Sequence, residues 1–170
     1  MSQGLPDSVD AWRMVQARRH FAGMLPLAKL PRLAADLASS EGEVQFDLEF
    51  GTDELGMPFL HVRAQAGLPL ACQRTLETFV YPVAIDTRLG LITKESDEAG
   101  LPPNYEPLLT PDGVLRLADV IEDELLLALP LVPVKPGSEA VERSWGDDEP
   151  LQDEAPPNPF AALKKLKDAN

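Results

Sequence analysis

An α+β fold, an antiparallel β meander or partly open barrel flanked by two N-terminal helices and one helix after the sheet, follows from two patterns in this 170-residue sequence. Apolar and polar residues alternate through the middle of the chain, the period of two that a strand with one buried face imposes. Before and after that region apolar residues recur every three or four positions, the spacing of an amphipathic helix. An acidic C-terminal tail completes the outline.

Asp10 suits the N-cap of a helix running through Trp12, Val15 and Arg19 and ending at His20, because its carboxylate can accept a free N–H of the first turn. After Gly23, residues Leu27, Leu30, Leu33, Ala34 and Leu37 share one helical face, with Pro31 tolerated only in the first turn. Val44, Phe46, Leu48 and Phe50 alternate with Gln45, Asp47 and Glu49, the clearest strand in the chain. Residues 51–58 have hairpin length, and the alternation resumes from Phe59 to Ala66, extending to Cys72 past Gly67, where a bulge or bend is expected. Gln73 to Thr75 form a turn and Thr78 to Ile85 a returning strand; His61 is expected on a face of the strand before it. Thr87 to Pro103, with Lys94, Glu95, Asp97, Glu98, Gly100 and Pro102, reads as an exposed loop.

The stretch from Asn104 to Pro136 specifies its own structure closely. Pro111, Asp112 and Gly113 form a turn, Leu117, Val120, Ile121, Leu125, Ala128 and Leu129 then keep helical spacing, and Pro130 forbids continuation. Asp119, Glu122, Asp123 and Glu124 crowd the first half of this helix. Consecutive helical residues point in different directions, so these acids do not converge on one ion; they read as stabilisation of the positive helix end together with a wet acidic face. The division is residues 1–136 as one domain, 137–157 as an acidic disordered linker too poor in aliphatics to offset ordering entropy, and 158–170 as a short basic amphipathic helix. In that last piece Asn158 caps, Pro159 takes the first helical position, and Phe160, Leu163 and Leu166 oppose Lys164, Lys165 and Lys167.

The formal net charge is −13, which argues against unassisted nucleic-acid binding, since phosphates reward Lys and Arg. The charge is segregated, however: residues 1–35 carry +3, residues 161–170 carry +2, and the residues between them −18. Such a chain can meet RNA through its basic ends or a basic protein through its body. The binding candidates are Arg13, Arg18, Arg19, Arg32, Arg74, Lys164, Lys165 and Lys167, with Pro159, Phe160, Leu163 and Leu166 as docking residues of the tail. The plainer reading of the arginines is a solvated helix face. No catalytic group, metal site or cofactor is indicated: phosphate-cradling Gly-rich loops, dinucleotide fingerprints and a serine elbow are missing, and Cys72 is the one cysteine, so no intramolecular disulfide can form and a zinc knuckle at its hairpin has no further cysteine to complete a ligand set. His20 and His61 are the only bases that could activate its thiol. With no apolar run long enough for a bilayer and no signal-like start, a cytoplasmic protein is expected.

Four segments in order, VDAWRMVQARRHFAG, LACQRTLETF, NYEP with VIEDELLLALPLVP, and PNPFAALKKLK, resemble the YceD family of bacterial large ribosomal RNA subunit accumulation proteins. The resemblance implies an opening helix and strand, then a hairpin that carries a Cys-x-x-Cys pair in many members; Thr75 stands here at the second position, so the hairpin must hold without metal. It also implies a role in 23S rRNA synthesis, processing or accumulation and in large-subunit assembly, and with no catalytic constellation among the residues that role is expected to be non-enzymatic. Precursor 23S rRNA or the assembling subunit is the expected partner. The alternative is an adaptor or chaperone for a basic ribosomal protein or another assembly factor, without RNA contact of its own.

Overall fold

The computed structural model describes residues 5–138, in which a five-stranded sheet carries helices on one face only. The order along the chain is β1 (Val9–Asp10), α1 (Ala11–Gln16), β2 (His20–Pro26), α2 (Pro31–Asp36), β3 (Glu43–Thr52), β4 (Pro58–Ala71), β5 (Thr78–Ile92), β6 (Glu106–Leu109), β7 (Val114–Leu115) and α3 (Leu117–Leu127). The large sheet is ordered β2-β3-β4-β5-β6, antiparallel except for the parallel β5–β6 pair, and β1 pairs with β7 separately. The sheet does not close into a barrel.

Alternation decides the faces. Val44, Phe46, Leu48 and Phe50 of β3, Leu60, Val62, Ala64 and Leu68 of β4, and Val83, Ile85, Leu89 and Leu91 of β5 are buried against Ala11 and Val15 of α1, Leu33 of α2, and Leu117, Val120, Ile121 and Leu125 of α3. The register places the intervening residues Gln45, Asp47, Glu49, His61, Arg63, Gln65, Asp86 and Arg88 together on the opposite face.

The hydrogen-bond phase explains two prolines in the long strands. Cys72 N–H donates to the Glu77 carbonyl, so in the β4–β5 ladder the odd-numbered residues of β5 face β4 and its even-numbered residues face outward. Pro82 therefore forfeits no ladder bond. Pro69 likewise faces the outer edge of β4, where its carbonyl accepts Ala38 N–H at 2.8 Å. Gly67 sits between them without the expected bulge: its register with Pro82 is unbroken, and a Cβ there would lie 2.8 Å from Val80 Cγ1. A side chain at this position would have to displace Val80.

Several sequence expectations need correction. The first helix stops at Gln16 because Arg18 takes a left-handed φ of 45°, and His20 opens β2 instead of ending the helix. The residues alone did not show β2, although the family resemblance implied a strand there. The second helix is shorter than its apolar spacing, a 3-10 turn at Leu27–Lys29 followed by α2, with Pro31 at the first position as required. β5 runs on to Ile92, because Thr87, Leu89 and Leu91 keep the inward alternation through the stretch read as a loop; a 3-10 turn at Glu95–Gly100 then leads away from the strand. The turn before α3 is as expected: Gly113 has φ 72°, its carbonyl accepts Ala11 N–H at 2.8 Å, and Trp12 lies against it where a Cβ would clash at 2.9 Å.

The acids of α3 also differ from their reading as a wet face. Glu122 is 2 % exposed and Glu124 8 %. Burial, reinforced by Glu106, pushes the Glu124 carboxyl above the ordinary range. Glu122 turns inward and binds the start of α2.

Candidate partner-binding surfaces

Arg18 and Arg19 stand at the corner where α1 turns into β2, and Arg13 stands earlier on the same helix. Asp10 accepts Arg13 N–H at 3.0 Å and fixes the helix start. At its other end Arg18 N–H donates to the Val15 carbonyl and Arg19 N–H to the Met14 carbonyl, the paired bonds of a Schellman motif. Glycine normally fills the left-handed position of that motif, and here it is Arg18. Arg19 continues onto the sheet, where its carbonyl accepts Phe50 N–H at 2.9 Å and its guanidinium lies 5.6 Å from the Phe21 ring centroid. Arg13, Arg18 and Arg19 are all exposed, and among the described residues none has a carboxylate partner.

The other candidates fare differently. Arg32 is engaged within the chain: its Nε donates to Glu122 Oε2 at 2.8 Å and its NH1 nitrogen to Asp123 at 2.6 Å. Glu122 Oε1 accepts the backbone N–H groups of Arg32 and Leu33 at 2.7 and 3.0 Å. The carboxylate thus caps the start of α2, whose own N-cap residue, Leu30, offers no acceptor. Arg74 lies in the β4–β5 turn and donates to the Ser138 carbonyl at 3.2 Å. Lys164, Lys165, Lys167, Pro159, Phe160, Leu163 and Leu166 fall outside the described residues.

Sequence reasoning did not assemble the open sheet face, although its alternation was the signal. There Asp47 accepts His20 Nε2 at 2.8 Å and Arg63 at 2.6 Å, His61 meets Asp86 at 2.6 Å, and Arg88 lies 5.2 Å from the Phe59 ring centroid. Burial pulls Asp47 upward, but the hydrogen bonds from His20 and Arg63 outweigh it and leave the carboxyl below its ordinary range. The hydrogen bond from His61 holds Asp86 low in the same way. A shallow depression of about 400 Å³ runs over Gln45, Asp47, Arg63, Gln65 and Asp86. Its charges are mutually paired, so it offers an anion no free cation of the kind found at the α1–β2 corner.

Cys72 is buried, and the segment after α3 encloses it. Lys135 N–H donates to its sulfur at 3.3 Å, Ser138 Oγ lies 3.6 Å away, and Gln73 N–H donates to the Pro133 carbonyl. A Lys135–Glu77 ion pair at 2.8 Å ties the same segment to the β4–β5 hairpin. These bonds hold the hairpin tip that Thr75 deprives of a second cysteine. The Lys135 N–H, followed by the side chain and N–H of Thr75, draws the thiol down to about 6 against the opposing effect of burial. An unfolded cysteine titrates near ~8.5, so the folded state prefers the thiolate. Its contribution to stability is complete above that value and is lost as pH falls toward 6. Urea midpoints are expected to rise between those pH values in the native chain and to lose that rise in Cys72→Ser. A thiolate absorbance that titrates near 8.5 in the folded protein overturns this. Neither His20 nor His61 bonds Cys72; both are committed to aspartates on the open face.

Among the described residues no group of three or more His, Cys, Asp or Glu side chains is arranged to hold a metal ion, and no helix is long and apolar enough to cross a membrane. Tyr105, from the NYEP segment, is buried, with its hydroxyl donating to Asp53 at 3.0 Å and its ring edge-on to Phe59. Helices on one side of a mostly antiparallel sheet, with a polar lattice on the other, make this an α+β protein with an open sheet face. The chain belongs to the YceD family, described as large ribosomal RNA subunit accumulation protein YceD, whose model matches residues 60–167. It is 31% identical over 168 residues to the large ribosomal RNA subunit accumulation protein YceD of Haemophilus influenzae, an alignment that covers 96% of each chain. No solved structure matches it.

Proposed function

We propose that this chain is a cytoplasmic, non-enzymatic factor that supports 23S rRNA accumulation by contacting precursor 23S rRNA or the assembling large subunit, with the α1–β2 corner as the contact. Family membership supplies the rRNA connection. The observation that carries the site is Arg18: a long cationic side chain held at φ 45°, where glycine is the comfortable residue, and left exposed. A non-glycine residue in that region costs about 1 kcal/mol, and backbone strain of this kind concentrates at functional positions. Arg19 follows it and Arg13 stands on the preceding helix, three cations within seven residues of an acidic chain, and Lys164, Lys165 and Lys167 are proposed as further RNA contacts. Arg32 and Arg74 contribute less, since both donate within the chain.

Stability and binding should therefore separate at this position. Arg18→Gly is expected to stabilise the fold by roughly 0.5–1 kcal/mol, by relieving the left-handed side chain, while weakening binding to 23S rRNA fragments. The double variant Arg18→Glu/Arg19→Glu is expected to lower affinity at least about tenfold and to flatten its salt dependence, each lost phosphate contact reducing the salt slope by about 1. In cells, depletion of the protein is expected to lower 23S rRNA relative to 16S. Unchanged rRNA ratios would remove the function, whereas unchanged binding by the double variant would remove only the site. The net charge of −13 favours one other reading, an adaptor for a basic ribosomal protein. Co-purification of such a protein that survives nuclease treatment and responds to charge reversal in the acidic body, but not at Arg18 and Arg19, would select it.

A further inference from the structure

β2 is an outer strand of the sheet, and the phase of its hydrogen bonds identifies which of its backbone groups are open. Phe50 N–H donates to the Arg19 carbonyl and Leu27 N–H to the Gly42 carbonyl. With the β2–β3 register, this directs the backbone of Phe21, Gly23 and Leu25 at β3 and that of His20, Ala22 and Met24 away from the sheet. Among the described residues no backbone group bonds to those outward positions. The devices that usually guard an edge are missing from Phe21 to Leu25: the stretch has no charge and no proline, and its register has no bulge. Pro26 closes the edge at its far end. The opposite open edge, along β5, is guarded by Pro82, Asp86 and Arg88, all at outward-facing positions.

Charge indicates what fits the unguarded edge. Arg18 and Arg19 stand at its start; Glu43, opposite Pro26, and nearby Glu41 stand at its end, all four exposed. Antiparallel self-pairing centred on Ala22 exchanges the two ends, bringing the arginines of one copy to the glutamates of the other. It also sets His20 opposite Met24 in both directions, so every outward group between the α1 turn and Pro26 is paired. We infer that β2 joins the β2 of a second copy of this chain in an antiparallel, two-fold pair with Ala22 on the axis, extending the sheet across a dimer. The pair gains roughly six backbone hydrogen bonds, two for each directly opposed outward pair. An extended strand of a basic protein is the competing occupant.

Self-pairing draws on the same Arg18 and Arg19 that are proposed to meet RNA, so it is tested without RNA and with both arginines intact. Sedimentation of the full chain over a concentration series is expected to show a shift from one copy to two. Ala22→Pro removes an outward N–H without touching the β3 ladder, and it is expected to hold the chain at one copy while leaving the unfolding of the dilute monomer little changed. Ala84→Pro, at an outward position of β5, is expected to associate like the native chain. In the native protein, amide exchange at Ala22 and Met24 is expected to slow at least about tenfold with rising protein concentration. A native chain that stays single with fast exchange at both amides overturns the inference, as does a folded Ala22→Pro that still forms pairs. Should Ala22→Pro fail to fold, the concentration dependence of exchange in the native chain decides alone. Protection of those amides that appears only when a basic peptide is added assigns the edge to that partner and overturns the self-pair.

Discussion

Replacing Glu122 with alanine is expected to destabilise the fold by about 2–4 kcal/mol, chiefly through the two backbone N–H groups at the start of α2 that lose their acceptor. Its carboxylate is 2 % exposed and accepts three N–H groups, two from the backbone at the start of α2 and one from the Arg32 guanidinium. Alanine leaves the backbone N–H groups of Arg32 and Leu33 without an acceptor, the second of them buried, whereas the half-exposed Arg32 guanidinium can turn to water; each buried unsatisfied polar group costs about 1–3 kcal/mol. Glu122→Gln keeps a carbonyl acceptor but loses the charge, so an intermediate loss is expected. Asp123→Ala removes the exposed partner of the same guanidinium, for which about 0.2–1 kcal/mol is the usual range. Urea unfolding of the three variants tests the order Glu122→Ala, Glu122→Gln, Asp123→Ala. Equal losses for Glu122→Ala and Asp123→Ala would show that the cap on α2 contributes nothing of its own.

Glu122 also marks where the sequence stops being readable. The period of α3 and its stop at Pro130 were plain, because both are local consequences of side-chain spacing and of a missing N–H. That one of its four acids is turned inward was not, since the donors that need it lie about ninety residues earlier in the chain. The available hint was negative: Leu30 precedes Pro31 at the start of α2 without an oxygen to cap it, so an acceptor had to come from elsewhere. β3 was legible because Val44 to Phe50 alternates without interruption. β2 was not, because His-Phe-Ala-Gly-Met-Leu-Pro places small or apolar residues on both faces and an edge strand is exposed along one side. The far half of β5 carried a readable alternation, Asp86 and Arg88 outward against Thr87 and Leu89 inward, masked by the charged turn after it.

The same locality governs the candidate site. Arg13, Arg18 and Arg19 could be nominated from charge segregation, but the placing of Arg18 and Arg19 at the corner depends on a helix ending earlier than its apolar spacing suggests. Nothing in composition shows that an arginine occupies a left-handed position, because that conformation is imposed by the Schellman bonds and by the entry of Arg19 into the sheet. The polar lattice of the open face depends on register: Asp47 lies between His20 and Arg63 only because β2, β3 and β4 align Ala22, Asp47 and Arg63 in one row.

That corner is held from beneath by Phe50, whose replacement by alanine is expected to cost about 3–5 kcal/mol, as for other buried aromatics. The ring is 1 % exposed, lies edge-on to Phe21 with centroids 6.4 Å apart, and belongs to a strand paired on both sides. Alanine would leave a void that the rigid β2–β3–β4 ladder can close only in part. Phe50→Leu, which fills most of that volume, should lose much less. The effect should also reach the arginines, because Phe50 N–H bonds the Arg19 carbonyl and Phe21 lies beneath the Arg19 guanidinium. A double-mutant cycle with Phe21→Ala is therefore expected to give a coupling of about 0.5–1.5 kcal/mol in urea unfolding, the range for aromatic pairs. At temperatures where Phe50→Ala remains folded, its affinity for 23S rRNA fragments is expected to fall while the salt slope stays near the native value, since the arginines are still present but less firmly placed. A slope reduced as far as that of Arg18→Glu/Arg19→Glu would mean that the variant has lost the contacts themselves, and Phe50 would then be more than a support for the corner.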